Sequence, residues 1–578
     1  MRKQFSLALL CLVISVAALS QDHFQKMGSD SLYILDSVLI KARDGALISA
    51  LIARKKGITE PQSCILHFSI YPRMTDMDRR CKDAAWHGYV GVVAYTRGKR
   101  QSPNEPVPYE YDGRDVYDVI EWISKQPWSN GKVGMYGGSY TGFTQWAATK
   151  NLHPALKTIV PSVSVAPGLD VPMTNNVVMS FVFPWTYYVT NNKFLDEQDY
   201  RDTIWRSTYF KWFEAGTKYP TLDSILGRKP NKIFRTWLKH PSYDAYWQNM
   251  IPYKEEFSKI KIPVLTTTGY YDDGQVGAMY YFREHYKYNP GAEHYLLIGP
   301  YGHFGAQGFP DSVYNGYAID PVARITIHDI IYQWFDHILK SAAKPAMLKD
   351  KINFEVMGAN EWKHASSLKT MSNDTLQFYL SDRRIDTTYL LQPTKPLKTR
   401  FIPQTVDFKD RTSGNFYRWS FNIIWDSITY PNGVMYVSDP LKKDIVVSGA
   451  FFGQIKTSIN KKDFDFSINL FEQMPGGKLF FLSYFMGRAS YAKNILKRQL
   501  LTPGKIEAIP FSNSYFTVKK INKGSRIVAF VNVNKSPFEQ INYGTGRDVN
   551  DETIKDAKEP LKVKWFNDSF ISIPIFKQ

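Results

Sequence analysis

The sequence predicts an α/β domain that is interrupted by a helical cap and followed by a C-terminal β jelly-roll domain. Strand-like and helix-like runs alternate from about residue 35 to 165 and again from 256 to 345, as they do in α/β sheets. Between these parts, residues 168–255 carry many aromatic residues at helical spacing, and after about residue 345 the period becomes strand-like. A chain of 578 residues also exceeds what one hydrophobic core holds.

The first α/β part is predicted from short apolar runs and one strongly periodic helix. Residues 63–68 and 89–95 are apolar runs typical of buried strands. Residues 114–126 predict a helix, because their apolar side chains recur at i, i+3, i+4 and i+7. Residues 132–137 then predict a strand, and residues 141–150 predict the helix that follows it.

The sheet pattern resumes after the cap. Residues 262–265 and 295–298 predict two further strands. A helix is expected to follow, with Asp320 as its N-cap and Pro321 at its first position.

The last part of the chain predicts a β-sandwich or jelly roll. Apolar residues alternate strictly at 464, 466, 468 and 470, which places one face of a strand in a core and the other in water. The predicted segments are a signal peptide (1–20), the two parts of the α/β domain (21–167 and 256–345), the cap between them (168–255) and the jelly roll (346–578).

The net charge of +18 is spread along the whole chain. Because no basic helix, zinc-knuckle spacing or RNA-binding signature accompanies it, we expect a basic surface and no nucleic-acid partner. Removal of the signal peptide leaves Cys64 and Cys81, which are too few for a disulfide scaffold. Cys64 lies in an apolar run, so we expect a buried free thiol, although pairing with Cys81 stays open.

The N-terminus has the pattern of a secretory signal. Arg2 and Lys3 precede a mostly apolar run over 5–19, and the small residues Ala18 and Ser20 predict cleavage before Gln21. A membrane anchor is the alternative, but about 15 apolar residues is short for a bilayer span. The sequence therefore predicts a periplasmic or secreted protein without a stable membrane span.

A candidate nucleophile lies between a predicted strand and a predicted helix. Ser139 stands in the segment Gly137-Gly138-Ser139-Tyr140-Thr141-Gly142. A strand that turns abruptly into a helix exposes its apex side chain and needs small neighbours, as in a G-x-S-x-G elbow. Here Thr141 occupies the second glycine position and Gly142 follows it. A serine among glycines is also common in ordinary turns, so the strand–turn–helix setting carries this prediction.

A serine hydroxyl needs a base, and that base needs an orienting acid. Asp272 follows the predicted strand near 262–268, and His303 follows the strand near 295–298. Because the carboxyl ends of neighbouring parallel strands meet at one edge of a sheet, both side chains are expected near Ser139. The order Ser139, Asp272, His303 predicts a catalytic triad.

Three motifs resemble one known family. They are the run from Glu121 to Met135 continuing into the elbow (similar to G-x-S-Y-x-G), Gly269-Tyr270-Tyr271-Asp272 (similar to G-W/Y-Y-D) and Gly299-Pro300-Tyr301-Gly302-His303 (similar to G-P-W-x-H). The chain resembles the cocaine esterase/X-prolyl dipeptidyl-peptidase family, which includes α-amino-acid ester hydrolases and glutaryl-cephalosporin acylases. The resemblance runs from about residue 35 to the C-terminus and implies an α/β-hydrolase domain, a helical cap and a jelly roll.

The resemblance also implies further site residues. The Tyr140 backbone N–H and the Tyr71 hydroxyl would form the oxyanion hole, although the sequence around Tyr71 matches the family pattern only in part. Asp273, Asp170 and Trp146 are the candidates for substrate binding. Relatives that bind an ammonium group place extra carboxylates after the catalytic acid, whereas Gly274 and Gln275 follow Asp273 here.

The predicted activity is hydrolysis of ester or amide bonds through an acyl-enzyme, with no metal and no cofactor. An X-Pro dipeptidyl-peptidase or an α-amino-acid ester hydrolase is the alternative within the family. A noncatalytic protein whose jelly roll binds glycan or peptide is the alternative of another class. A small-molecule or peptide substrate is the expected partner, and homo-oligomerisation stays open.

Overall fold

The computed structural model describes residues 29–75, 78–414, 422–428 and 433–577. The predicted signal peptide lies outside these residues. Within them, none of the helices has both the length and the apolar character that a bilayer crossing requires.

The main sheet has ten strands, and its central strands are parallel. The first fourteen strands in chain order are β1 (Tyr33–Lys41), β2 (Leu47–Lys55), β3 (Gln62–Ser69), β4 (Val90–Tyr95), β5 (Ser129–Gly138), β6 (Leu156–Ser162), β7 (Met173–Thr174), β8 (Val177–Val178), β9 (Val264–Tyr271), β10 (His294–Gly302), β11 (Val313–Tyr314), β12 (Tyr317–Ala318), β13 (Ile352–Val356) and β14 (Glu361–Ala365). The main sheet has the order β1-β2-β4-β3-β5-β6-β9-β10-β13-β14, and β7-β8 and β11-β12 are separate hairpins.

Helices cover the parallel strands, as the alternating pattern predicts. The α-helices are α1 (Arg79–Trp86), α2 (Asp112–Ser124), α3 (Tyr140–Lys150), α4 (Val182–Thr190), α5 (Glu197–Tyr200), α6 (Ile204–Ala215), α7 (Leu222–Leu226), α8 (Lys232–Leu238), α9 (Ala245–Gln248), α10 (Gln275–Tyr288) and α11 (Ile327–Lys340). Helix α2 confirms the periodic segment 114–126, since its residues at 116, 119, 120 and 123 are all fully buried. The strand and the helix predicted on either side of Ser139 are confirmed as β5 and α3, whereas β6, the next strand, was not assigned from sequence.

Helices α4 to α9 lie within the segment predicted as the cap. Their aromatic side chains pack on one another: Trp185 stacks near Trp237, and Phe183 contacts Phe234 with ring centroids 5.0 Å apart. Many of the aromatic side chains of this segment therefore form the core of the cap itself.

The prediction that the α-helix after β10 begins at Pro321, with Asp320 as its N-cap, is wrong. A short 3-10 turn covers Pro321–Ala323, and the α-helix begins only at Ile327. The Asp320 carboxylate instead accepts hydrogen bonds from the backbone N–H groups of Gly358 and Asn360. Asp320 thus stabilises a distant loop, which a local capping pattern does not reveal.

The C-terminal part consists of strands joined by one network of backbone hydrogen bonds. These strands are β15 (Asp374–Ile385), β16 (Thr388–Gln392), β17 (Phe401–Val406), β18 (Ile424–Trp425), β19 (Gly433–Ser438), β20 (Ile445–Ala450), β21 (Phe452–Ile459), β22 (Asp465–Gln473), β23 (Leu479–Arg488), β24 (Glu507–Phe511), β25 (Phe516–Ile521), β26 (Arg526–Val533), β27 (Leu561–Phe566) and β28 (Phe570–Phe576). The alternating residues at 466, 468 and 470 lie in β22, so the predicted strand is confirmed. The prediction that its other face lies in water is wrong, because Ser467 and Asn469 on that face are buried as well. Strands β13 and β14 continue the main sheet, so that sheet extends past residue 345.

The C-terminal domain packs directly against the loop after β9. Gln275 donates from its side-chain amide to the Phe516 carbonyl and accepts from the Phe516 N–H. The Tyr271 hydroxyl donates to the Phe481 carbonyl at 3.1 Å. These contacts fix the loop that carries Asp272.

Candidate active site

Ser139 lies at the apex of a sharp turn between β5 and α3. Its φ of 61° and ψ of −121° are unusual for a residue with a side chain, and Gly137 just before it has a φ of 144°. The Ser139 N–H donates to the Ser162 carbonyl on β6, and the Ser139 carbonyl accepts from Gly142 and Phe143. Neighbouring strand and helix therefore hold the strained residue in place, as a nucleophile elbow requires.

Close contacts explain why Thr141 and Gly142 follow the elbow in an order that differs from G-x-S-x-G. A β-carbon at Gly142 would lie 2.4 Å from the Ser164 hydroxyl oxygen, so the displaced glycine is needed for close packing. Thr141 is accommodated because its hydroxyl donates to the Gly138 carbonyl at 2.7 Å. The exchange of glycine and threonine relative to G-x-S-x-G is thus compatible with the turn.

Asp272 and His303 follow the C-terminal ends of the adjacent parallel strands β9 and β10. The His303 Nδ1 lies 2.7 Å from the Asp272 Oδ1. Asp272 is fully buried, and it also accepts a hydrogen bond of 2.6 Å from the Thr268 hydroxyl and one of 2.8 Å from the Gly274 N–H. Three donors therefore fix this carboxylate against the imidazole.

Asp273 also approaches the same imidazole nitrogen. Its Oδ1 lies 2.7 Å from the His303 Nδ1, and its side chain is 45% exposed. Burial by itself would lower the pKa of His303, but Asp273 and Asp272 outweigh it and hold that pKa well above its ordinary value. Burial raises the pKa of Asp272, and its hydrogen bond to His303 opposes that shift.

The loop after His303 packs against the serine elbow. A β-carbon on Gly138, next to Ser139, would lie 2.2 Å from the Gln307 side chain, and the Gln307 amide donates to the His303 carbonyl at 2.8 Å. The Thr267 hydroxyl on β9 lies 2.7 Å from both the Ser162 hydroxyl and the Ala306 carbonyl. The structure thus brings the segments of Ser139, Asp272 and His303 to one edge of the sheet. In the described part of the chain, the Ser139 hydroxyl makes no hydrogen bond, and such bonds in unliganded sites often form only with substrate.

Tyr71 follows β3, on the other side of β5 from β6 and β9. Its hydroxyl accepts a hydrogen bond of 3.1 Å from the Trp185 indole N–H in the cap, and its ring packs edge-on against Tyr140. Burial raises the pKa of the Tyr71 phenol, so the hydroxyl keeps its proton. Since the indole N–H can only donate, the phenol proton remains available for another acceptor.

Tyr140 begins α3, so its backbone N–H has no acceptor within the helix. Its side chain is buried, and its hydroxyl donates to Asp112 at 2.7 Å and accepts from the Tyr109 N–H. Burial raises the pKa of Asp112 to about 7. Any contact of Tyr140 with a substrate would therefore come from its backbone.

Two of the three substrate-binding candidates lie in buried positions. Asp170 is buried, and its two oxygens accept the backbone N–H groups of Ala166 and Gly277. Trp146 is fully buried on α3 and stacks on Tyr281 with ring centroids 4.6 Å apart. Both positions are those of structural residues, because neither offers free surface to a substrate. Only Asp273 is partly exposed, and it contacts His303.

Several residues at the site were not singled out from sequence. Trp185, Thr268 and Gln307 each contact a predicted site residue directly, and Phe304 beside His303 is 80% exposed. Thr268 and Phe304 lie next to the predicted motifs, so their positions offered a signal. Trp185 lies in the aromatic cap, where nothing in the sequence distinguishes it from its buried neighbours.

Carboxylate and imidazole groups that are close enough to hold a metal ion occur twice within the described residues: Asp272, Asp273 and His303, and Asp83, His87 and His328. In the second group, the His328 Nε2 lies 2.8 Å from Asp83, which also accepts from the Tyr332 hydroxyl. Hydrogen bonds among the protein groups therefore account for both arrangements.

Two family models match this chain. The model of the X-Pro dipeptidyl-peptidase (S15 family) matches residues 44–305. The model of the X-Pro dipeptidyl-peptidase C-terminal non-catalytic domain matches residues 347–553. The chain belongs to the X-Pro dipeptidyl-peptidase (S15) family. It is therefore a serine hydrolase, and the family resemblance seen in the motifs is confirmed.

Relatives of this S15-family hydrolase include an esterase. The cocaine esterase of Rhodococcus sp. (strain MB1 Bresler) is 24% identical over 558 residues, covering 90% of this chain and 94% of the esterase. Among solved structures, an aminopeptidase from a marine sediment Thaumarchaeota archaeon has a TM-score of 0.79 at 20% identity, covering 94% of this chain and 97% of its own. An α-amino acid ester hydrolase has a TM-score of 0.78 at 21% identity, covering 95% and 98%. The predicted fold class, an α/β-hydrolase domain with a C-terminal β domain, is confirmed.

Proposed function

We propose that the protein hydrolyses ester or amide bonds by acyl transfer to Ser139, with His303 as the base and Asp272 as the acid that orients it. The observation that carries this proposal is the hydrogen bond of 2.7 Å between Asp272 and the His303 Nδ1 at the sheet edge that also carries the Ser139 elbow. In its neutral form, an imidazole whose Nδ1–H is held by a carboxylate presents an unprotonated Nε2, which can accept a proton from a serine hydroxyl.

In the first step, His303 takes the Ser139 proton as the Ser139 oxygen attacks the carbonyl carbon. The tetrahedral intermediate then loses its alcohol or amine, which receives the proton from His303, and an acyl-enzyme remains. Water attacks the acyl-enzyme with His303 again as the base, which releases the acid and restores Ser139.

The negative oxygen of the tetrahedral intermediate would be stabilised by the Tyr140 N–H and the Tyr71 hydroxyl. The Tyr140 N–H is at the first turn of α3, where the helix provides no acceptor. The Tyr71 hydroxyl already accepts from Trp185, which leaves its proton for the oxyanion. Two neutral donors of this kind stabilise charge that develops only in the transition state.

The carboxylates at the site already bind protein groups, which favours substrates whose acyl group has no free ammonium. Both oxygens of Asp170 bind backbone N–H groups, and Asp273 contacts His303, so both carboxylates already have partners. An N-terminal ammonium would need such a carboxylate. The exposed Phe304 ring beside His303 instead offers an apolar contact. We therefore propose ester hydrolysis of uncharged, apolar acyl groups as the main activity.

Export to the periplasm or the medium, with cleavage before Gln21, is part of this proposal and follows from the charged start and apolar run of residues 2–20. Expression of the full chain, fractionation and mass determination of the mature N-terminus test it. A mature chain that keeps residues 1–20 would contradict it.

The test of the catalytic proposal is a panel of p-nitrophenyl esters, aminoacyl esters and Xaa-Pro anilides, run with the wild type and with Ser139→Ala. We expect the wild type to favour apolar p-nitrophenyl esters and to react with a fluorophosphonate probe, and the variant to lose both properties. Ser258→Ala is the matched control, because the Ser258 hydroxyl only donates to the Glu255 carbonyl of its own turn. Labelling of the Ser139→Ala variant would contradict the proposal. Preference for aminoacyl esters or Xaa-Pro anilides would support the alternative specificities, and glycan or peptide binding without turnover would support a noncatalytic role.

A further inference from the structure

Two consecutive carboxylates contact one nitrogen of the predicted base. The Oδ1 atoms of Asp272 and Asp273 each lie 2.7 Å from the His303 Nδ1. A triad needs one such carboxylate, so the second contact requires its own explanation. One N–H can be shared between two acceptors in a three-centre hydrogen bond.

The turn after β9 holds both side chains on the same side. The Asp272 N–H donates to the Gly269 carbonyl, and the Asp272 carboxylate and carbonyl accept from Gly274 and Gln275, where α10 begins. This compact turn prevents Asp273 from continuing the alternation of β9. The Tyr515 hydroxyl of the C-terminal domain lies 3.4 Å from the Asp273 carbonyl and contacts its backbone.

We propose that Asp273 is a second positioning residue for His303, which shares the imidazole Nδ1–H with Asp272, so that either carboxylate alone keeps the ring in its productive tautomer. This inference rests on the function proposed above. Asp272 is buried and fixed by Thr268 and Gly274, whereas Asp273 is partly exposed. Asp272 therefore provides the rigid contact, and Asp273 provides a contact in reach of solvent and of salt.

The charge of Asp273 should also change how kcat/KM depends on pH. The groups facing the imidazole are the two carboxylates, with Asp170, Tyr314 and Tyr515 around them. A second negative charge on the Nδ1 side favours the imidazolium, which raises the pKa of His303. Because only neutral His303 accepts the Ser139 proton, Asp273 moves the acid limb of the kcat/KM profile to higher pH.

The test is the pH dependence of p-nitrophenyl butyrate hydrolysis by Asp272→Asn, Asp273→Asn and the double variant. An asparagine at 272 alone usually lets the imidazole adopt the wrong tautomer, at a cost of about 10⁴ in kcat. With Asp273 present we expect Asp272→Asn to lose only about 100-fold, Asp273→Asn to lose less than about 10-fold, and the double variant to lose about 10⁴-fold, because coupled residues act non-additively. Asp273→Asn should also move the acid limb to lower pH, and Asp273→Glu should restore it.

Two results would overturn the inference: equal activity of Asp272→Asn and the double variant, or an acid limb that Asp273→Asn leaves in place. Asp426→Asn is the charge-matched control, because Asp426 is 88% exposed and pairs with Lys478. Thermal melting of each variant identifies loss of folding. If Asp273→Asn does not fold, the pH profile of Asp273→Glu tests the inference instead, because that variant keeps the carboxylate. Failure of the proposed function is recognised separately, because it would appear as turnover or probe labelling that survives Ser139→Ala.

Discussion

Replacement of Tyr71 by phenylalanine tests the oxyanion hole, because it removes one hydroxyl and leaves the ring that packs against Tyr140. Loss of one oxyanion donor costs about 2.7–4 kcal/mol of transition-state stabilisation, so we expect kcat to fall by about 10²–10³. Trp185→Phe keeps the Tyr71 hydroxyl and an aromatic ring in the cap, and removes the hydrogen bond of 3.1 Å that orients that hydroxyl. A neutral hydrogen bond contributes about 1 kcal/mol, so this variant should lose only about 5-fold.

The assay is kcat and KM for p-nitrophenyl butyrate, measured with the melting temperature of each variant. Tyr188→Phe is the matched control, because the Tyr188 ring packs against Tyr71 while its hydroxyl binds Glu197 at 2.7 Å. Tyr188→Phe therefore removes a neighbouring phenol hydroxyl whose proton is bound to Glu197 and is not available to the oxyanion. If Tyr71→Phe retained kcat within about 3-fold of the wild type while folded, the role of Tyr71 in the oxyanion hole would be refuted.

Two further predictions concern buried residues. Burial raises the pKa of Asp112 from 3.8 to about 7. Between these pH values the native state binds a proton that the unfolded state releases, so the contribution of Asp112 to stability falls as pH rises. Urea unfolding of Asp112→Asn and wild type from pH 4 to 7 should show the variant gaining relative stability with pH, by at most about 1.4 kcal/mol per pH unit, and a constant difference would contradict this. Trp146→Phe should lower the free energy of unfolding by about 0.5–3 kcal/mol and leave KM unchanged, since the indole is fully buried. A tenfold rise in KM without a change in melting temperature would instead restore Trp146 as a substrate contact.

Much of the fold could be predicted because strand and helix periodicity is local. The apolar repeat of α2 and the alternation along β22 each depend on residues within one element. The failures are non-local. Asp320 binds backbone groups 38 and 40 residues later in the chain, and the pattern near residue 320 is equally that of a helix N-cap.

The residues of the candidate site also separate into those that local sequence could predict and those that depend on distant contacts. Ser139, Asp272 and His303 could be proposed because each follows a strand whose end lies at the same edge of a parallel sheet. The partner of Tyr71 could not, because Trp185 is 114 residues away in a cap whose many aromatic residues look alike in sequence. Asp170 and Trp146 were expected at the substrate, yet the structure buries both of them.

The sequence by itself determined the fold class, the elbow at Ser139 and the order of serine, acid and base, because these depend on local periodicity and on short motifs. Only the tertiary structure decided which carboxylates reach His303, which tyrosine hydroxyl keeps a free proton and which candidates are core residues. The physical reason is that a side chain's burial and hydrogen-bond partners depend on segments brought together by folding. Asp272 and Asp273 are neighbours in sequence, and only the turn after β9 shows that both point at one imidazole nitrogen.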